Sequence, residues 1–240
     1  MRAMQHADFL SLWEKGRALH PLDQGLLAIH AAYPEATSES VADWPLGRRN
    51  RALAELHCFY FGHALEGWTS CPQCGEKLEF KMDGRALAEQ PQSQQGEPIV
   101  MHGETFRLPT TRDLALVAQE RDALDGHEAA AVRLLRACRV DGGEEVEHSW
   151  SEAELEEAGE KMAAADPLAE IVLNFQCPVC EGTCQESLDL PTFLWAELEA
   201  LARRLAREVH TLASAYGWSE SEILALSDAR RRLYMEMVNA

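Results

Sequence analysis

The reading of this chain turns on Cys71-Pro72-Gln73-Cys74-Gly75 and its distant echo, Cys177-Pro178-Val179-Cys180. A Cys-Pro-x-Cys turn aims both of its sulfurs at one point. Two such turns supply four thiolates, the ligand set of a closed tetrahedral structural zinc site. Cys71, Cys74, Cys177 and Cys180 are therefore the expected metal ligands, and Zn2+ the expected metal. Gly75 lets the first turn bend back, and residues 77–81 alternate like a strand leaving it. The pairs stand 102 residues apart, whereas zinc ribbons place theirs about 15 to 20 apart. A metal ion across that interval clamps together two distant parts of the chain.

Other thiols and imidazoles lie nearby. Cys184 follows Cys180 by four residues and could exchange into the site, although the 177/180 pair matches 71/74 in form. His57 and His63 precede the first turn, but two complete pairs leave them no ligand position. Glu181 stands where the first turn has Gly75, a departure from a simple ribbon, as is the long interval between the pairs. A thioredoxin-type redox pair needs a βαβ context. Here each pair sits in a short hairpin-like piece between helices.

Working outward, the pattern is helical. Residues 6–20 and 23–33 carry apolar side chains at helical spacing, with Pro21 between them. A polar connection is expected over 34–45. A third helix follows over 46–63, with Leu53, Leu56, Phe59 and Cys58 on its apolar face. Residues 88–98 read as a flexible loop, and 99–108 as a hairpin strand around His102-Gly103. Thr110, Thr111 and Asp113 begin a further helix, and 128–138 another, closed by Asp141-Gly142-Gly143. Ser151 caps a helix to about 165, and Asp166-Pro167 opens one more.

Strands at 173–175 and 185–190 flank the second cysteine turn. Pro191 then opens the longest helix, with Leu194, Leu198, Leu201, Leu205, Val209 and Leu212 forming an apolar seam. Gly217 ends it. Ser219-Glu-Ser-Glu222 is a capping box, and the last helix follows Ser227 with Arg230, Arg231 and Arg232 expected on its exposed face. The fold class is thus mainly α with a small zinc-ribbon-like β element, its helical segments clamped by a split four-cysteine zinc site. Five regions result: an N-terminal helical region at 1–66, the first knuckle and hairpin at 67–110, and an inserted helical region at 111–170. The second knuckle covers 171–190, and the long helix with a helical pair covers 191–240.

A net charge of −18 opposes nonspecific nucleic-acid binding, which needs a basic face to release counterions. It suits a soluble chain that meets a basic partner. No apolar run is long enough to span a membrane, and residues 1–6 carry no signal-peptide pattern, so the expected place is the cytoplasm. No nucleophile elbow, phosphate loop or His-Glu-x-x-His motif occurs. Four thiolates leave no open position for an activated water, so the metal reads as a staple and the chain as a non-enzyme.

Three stretches together resemble a known family. They are Leu46-Gly-Arg-Arg-Asn-Arg-Ala-Leu-Ala-Glu-Leu56 leading through Phe61-Gly-His-Ala-Leu-Glu66 to the first cysteine turn; Phe106-Arg-Leu-Pro-Thr-Thr-Arg-Asp113; and Phe193-Leu-Trp-Ala-Glu197 through Tyr216-Gly-Trp-Ser219 to Arg230-Arg-Arg-Leu-Tyr234. The family is that of baseplate (hub-assembly type) proteins of contractile phage tails and related extracellular contractile injection systems. The resemblance implies a non-enzymatic structural or assembly protein of such a baseplate. It would be found in the cytoplasm or within the particle, with other baseplate or hub proteins as partners. The competing expectation is a zinc-ribbon adaptor or regulator that contacts nucleic acid or the transcription machinery. It rests on the zinc site and the terminal helical pair, and the charge counts against it.

Overall fold

The computed structural model describes residues 1–90, 98–120, 126–140 and 150–238. The architecture is mainly helical with three small two-stranded sheets among the described residues, as the sequence predicts. The described residues fall into two compact units, one built from Met1–Ala36 and Pro191–Ala240, the other from Thr37–Leu190.

The first unit holds α1 (His6–Gly16) and α2 (Pro21–Ala32) with three C-terminal helices: α9 (Leu190–Tyr216), α10 (Glu220–Leu224) and α11 (Asp228–Val238). Pro21 occupies the first turn of α2, where its missing N–H goes unneeded. Gly16 ends α1 against the Trp195 indole, so closely that a Cβ there would overlap the ring. Along α9 the predicted seam is real: Leu194, Leu198, Leu205 and Leu212 are buried. Gly217 stops α9 with φ of +70°, a left-handed conformation that glycine adopts without penalty. The Ser219/Glu222 capping box is formed, with both reciprocal hydrogen bonds. Trp218 stacks on Tyr216 at 4.7 Å and meets the edge of Tyr234 at 5.0 Å, closing the α9–α10 corner with aromatic surface.

One expectation for this unit is overturned. Arg231 does not share the exposed face of Arg230 and Arg232; its side chain is 1 % exposed. A helix turns about 100° per residue, so three consecutive residues cannot share one face. Arg231 turns inward, donating to Glu208 at 2.8 Å, to the Leu226 carbonyl at 2.7 Å and to Asp228. Its Nη atoms lie 3.1 and 3.2 Å from the His6 ring nitrogens. A buried guanidinium held on all sides is the stable form of a desolvated charge.

The second unit carries α3 (Ser38–Ala42), α4 (Leu46–Tyr60), β1 (Ala64–Ser70), β2 (Lys77–Asp83), α5 (Arg85–Ala88), β3 (Ile99–Met101), β4 (Glu104–Phe106), α6 (Thr111–Gln119), α7 (Gly126–Cys138), α8 (Glu152–Ala165), β5 (Val172–Gln176) and β6 (Thr183–Ser187). The connection at 34–45 contains a short helix, α3, nucleated by the Thr37 hydroxyl accepting from the Ser40 N–H. Phe59, expected on the apolar face of α4, is exposed, while Leu53 and Leu56 are buried. The hairpin around His102-Gly103 is present, with Ile99 opposite Phe106. Phe106, Met101, Leu135, Cys138 and Ala158 form the core beneath it. Burial raises the Cys138 thiol to about 12, consistent with a packing residue. Most of the loop at 88–98 and the closing residues 141–143 lie outside the described residues.

The helix expected from Asp166-Pro167 does not form. Asp166 instead ends α8 with φ of −138°. Its carboxylate accepts the Gly47 N–H at 2.8 Å, in the first turn of α4, whose own cap residue is Pro45 and offers no side-chain acceptor. An aspartate from 119 positions away thus does the work of an N-cap. Beside it Asn50 donates to the Leu168 carbonyl at 2.8 Å and accepts from Arg49 at 2.9 Å. Burial lowers Arg49 to about 10, against the opposing pull of Asp189 and Asp166. These bonds fasten the start of α4 to the segment that enters β5.

Candidate metal centre

Each cysteine turn sits at the tip of an antiparallel hairpin. In the first, β1 pairs with β2 from Ala64↔Asp83 to Ser70↔Lys77; in the second, β5 pairs with β6 from Val172↔Ser187 to Gln176↔Thr183. Strand β1 departs from the sequence expectation, which extends the helical region to residue 66. Its alternation is weak, with Gly67 in the middle and the solvent face carrying Glu66, Trp68 and Ser70.

The two turns have the same backbone wiring. Gly75 N–H donates to the Cys71 carbonyl at 2.9 Å, and Cys71 N–H to the Glu76 carbonyl at 2.7 Å. In the second turn Glu181 N–H donates to the Cys177 carbonyl at 3.0 Å, and Cys177 N–H to the Gly182 carbonyl at 2.9 Å. Gly75 has φ of +76° and Glu181 φ of +58°. The second knuckle therefore keeps the shape of the first despite Glu181. Glu181 adopts the left-handed conformation that glycine holds in the first, at a side-chain penalty of about 1 kcal/mol. The knuckles also approach closely: a Cβ added to Gly182 would stand 2.5 Å from Gln73 Oε1.

This geometry brings all four predicted ligands together. The Sγ atoms of Cys71, Cys74, Cys177 and Cys180 all lie within 4.8 Å of one another. Cys71 and Cys180 are 3.6 Å apart, Cys74 and Cys177 3.5 Å. Sulfurs about 2.3 Å from a tetrahedral metal centre sit about 3.8 Å from each other, so the cage matches. A disulfide would require about 2.05 Å. The four cysteines are thus positioned to bind a metal ion. Cys184 is not in the group; on β6 it packs beside Cys71, Leu78 and Cys177. His57 is buried on α4 and takes no part in the cluster.

Burial is uneven. Cys71 and Cys177 are buried in a small apolar cluster with Leu78 and Phe175, whereas Cys74 and Cys180 are exposed. Phe80 on β2 meets Phe175 on β5 edge-on at 6.3 Å, extending the contact between the hairpins beyond the sulfurs. Backbone N–H groups of Cys74 and Gln73 aimed at Cys71 bring its thiol down to about 7. The Glu76 N–H pulls Cys74 the same way, but local desolvation and the surrounding thiols outweigh it and push Cys74 up to about 12. Cys180 is raised as well, its Gly182 N–H being overcome by burial and by Cys177 and Cys71. The Cys71 thiolate forms readily, while the neighbouring thiols hold back ionisation of Cys74 and Cys180. A divalent cation removes that conflict by taking the place of the remaining protons.

Among the described residues no other cluster of His, Cys, Asp or Glu has metal-binding geometry, and no helix is long and apolar enough to cross a membrane. Comparison with protein-family models, curated proteins and solved structures finds no match to this chain.

Proposed function

We propose that this chain is a non-enzymatic structural or assembly protein of the baseplate of a contractile tail-like injection system, stapled by one zinc ion. What supports the reading is the resemblance of three stretches of the sequence, whose residues fall at framework positions of the fold. In the first stretch, Gly47 and Asn50 tie α4 to Asp166 and Leu168. In the second, Phe106 is core and Asp113 closes a capping box with Thr110 while accepting both arms of Arg107. In the third, Tyr216, Trp218 and Tyr234 make the aromatic corner and Arg231 is buried. The side chains that carry the resemblance are framework side chains, which suits a role in shape and assembly. Its partners are other baseplate or hub proteins, met in the cytoplasm or in the particle.

Zinc is the metal favoured by four soft thiolates in a tetrahedral cage. A closed thiolate shell activates no water, so the metal's binding energy goes into folding. The test is deletion of the gene in a strain that makes the particle, followed by electron microscopy. The expected result is tubes and sheaths without assembled baseplates, restored by the wild-type gene. Normal, contractile particles from the deletion strain would remove the assignment. Metal analysis of the purified chain should give one zinc per protein; iron in its place would correct the cofactor.

A further inference from the structure

We propose that the groove between α9 and α11 is a docking site for an acidic segment of another protein. It goes beyond the particle assignment and stands on different observations. The chain carries 22 basic and 40 acidic side chains, but the charge is unevenly distributed. The unit formed by Met1–Ala36 and Pro191–Ala240 holds nine basic and eleven acidic residues, so nearly the whole acidic excess belongs to Thr37–Leu190. Six of those nine basic residues are arginines on α9 and α11.

Most arginines among the described residues have found carboxylates: Arg51 with Glu55, Arg85 with Asp83, Arg133 with Glu120, Arg203 with Glu199. Arg207, Arg230 and Arg232 have no carboxylate within ion-pair distance among the described residues. Arg207 and Arg232 line one groove of about 620 Å³ with Arg204, Thr211 and Met235. Two glutamates, Glu208 and Glu236, also line it. Glu208 is already committed to Arg231 at 2.8 Å, and Arg204 reaches it only at 3.7 Å. The site therefore offers forked cationic donors from two helices. Guanidinium groups bind carboxylates through two parallel hydrogen bonds.

A protein segment fits better than nucleic acid. A nucleic acid carries a charge about every 1.7 Å along its axis and runs on past any short site. Beyond the groove it would meet a unit in which acidic residues outnumber basic ones, eleven to nine. A short segment places its carboxylates on the arginines and ends there, and salt screens the rest within about 10 Å.

The test uses the full chain and a fluorescein-labelled peptide with glutamate and leucine at helical spacing. Fluorescence anisotropy is read across a salt series. The acidic peptide should bind, its affinity should fall as salt rises, and a lysine-for-glutamate peptide should not bind. Arg207→Glu with Arg232→Glu should weaken binding by about tenfold or more. Arg207→Gln, which breaks no existing pair, should weaken binding without changing the melting temperature. Equal binding of the two peptides, or unchanged binding to the double variant, would overturn the proposal. Tighter binding of an oligodeoxythymidylate of the same charge would reassign the groove to nucleic acid. Self-association of the wild-type chain, lost in the double variant without any peptide binding, would reassign it to a second copy.

Discussion

Replacing Arg231 by methionine tests the C-terminal framework at its most constrained point. The substitution keeps most of the side-chain length but removes the charge and its donors. Glu208 then loses its 2.8 Å partner while only 14 % exposed, and keeps Arg204 at 3.7 Å. The Leu226 carbonyl loses its 2.7 Å donor. Asp228 is half exposed and turns to water at little penalty. Removing one partner of a buried pair costs about 3 to 5 kcal/mol. The remaining arginine and the partial exposure of Glu208 argue for the lower end, about 3 kcal/mol. For a unit of about 60 to 100 residues, each kcal/mol moves the midpoint by about 4 to 8 °C. Thermal and urea unfolding of Arg231→Met, with Arg230→Met as the exposed control, would measure this. Adding Glu208→Gln should recover about half of the loss, because the stranded charge goes with it. The reasoning fails if Arg231→Met and Arg230→Met differ by less than about 1 kcal/mol.

Other outcomes follow from features of the second unit. Cys71→Ser, or chelation of the wild type, should raise hydrogen exchange in β1–β2 and β5–β6 together; protection lost in one hairpin alone would contradict a shared metal. The loop released is over a hundred residues long, and cross-links of that span are worth about 4 to 5 kcal/mol on the disulfide scale. Gly75→Ala should cost about 1 kcal/mol in the left-handed position, whereas Glu181→Gly should leave stability equal or better. Gly47→Ala would drive a methyl group into the Asp166 carboxylate and detach it from α4, with a loss of about 1 to 2 kcal/mol by denaturation. Burial opposes ionisation of Asp113, but Arg107 and Thr110 outweigh it and hold its carboxyl below the usual range. Its stabilising effect is complete above the unfolded value of about 3.9 and is lost as pH falls through the lower folded value. Asp113→Asn should therefore flatten acid unfolding in that window; an unchanged acid limb would show that the pair contributes nothing.

What was legible in the sequence was local or repeated. The Cys-Pro-x-Cys form occurs twice, and that was enough to bring Cys71, Cys74, Cys177 and Cys180 to one cage. The caps at Thr110, Ser151 and Ser219 and the hairpin at His102-Gly103 were readable because their chemistry is complete within four residues. What failed depended on distance. Asp166 before a proline reads as a helix start, and nothing nearby tells that its carboxylate is claimed by Gly47. Arg231 reads as surface because its partners Glu208 and His6 lie far along the chain; only the helical rotation of three successive arginines hinted at it. The α9–α11 groove has no motif at all. It arises because Arg204 and Arg207 of α9 meet Arg232 of α11 in space.

The separation of the two knuckles also sets a timetable for biosynthesis. The ribosome delivers about 5 to 20 residues per second, so the second cysteine pair follows the first by roughly 5 to 20 seconds. During that interval Cys71 and Cys74 exist with half a coordination shell, while everything between the knuckles is still emerging. An ion caught early must wait for Cys177 and Cys180 or exchange with whatever thiols the cell offers. The metal can therefore seal the unit only near the end of its synthesis, and metal supply would act on the yield of finished protein rather than on the first hairpin.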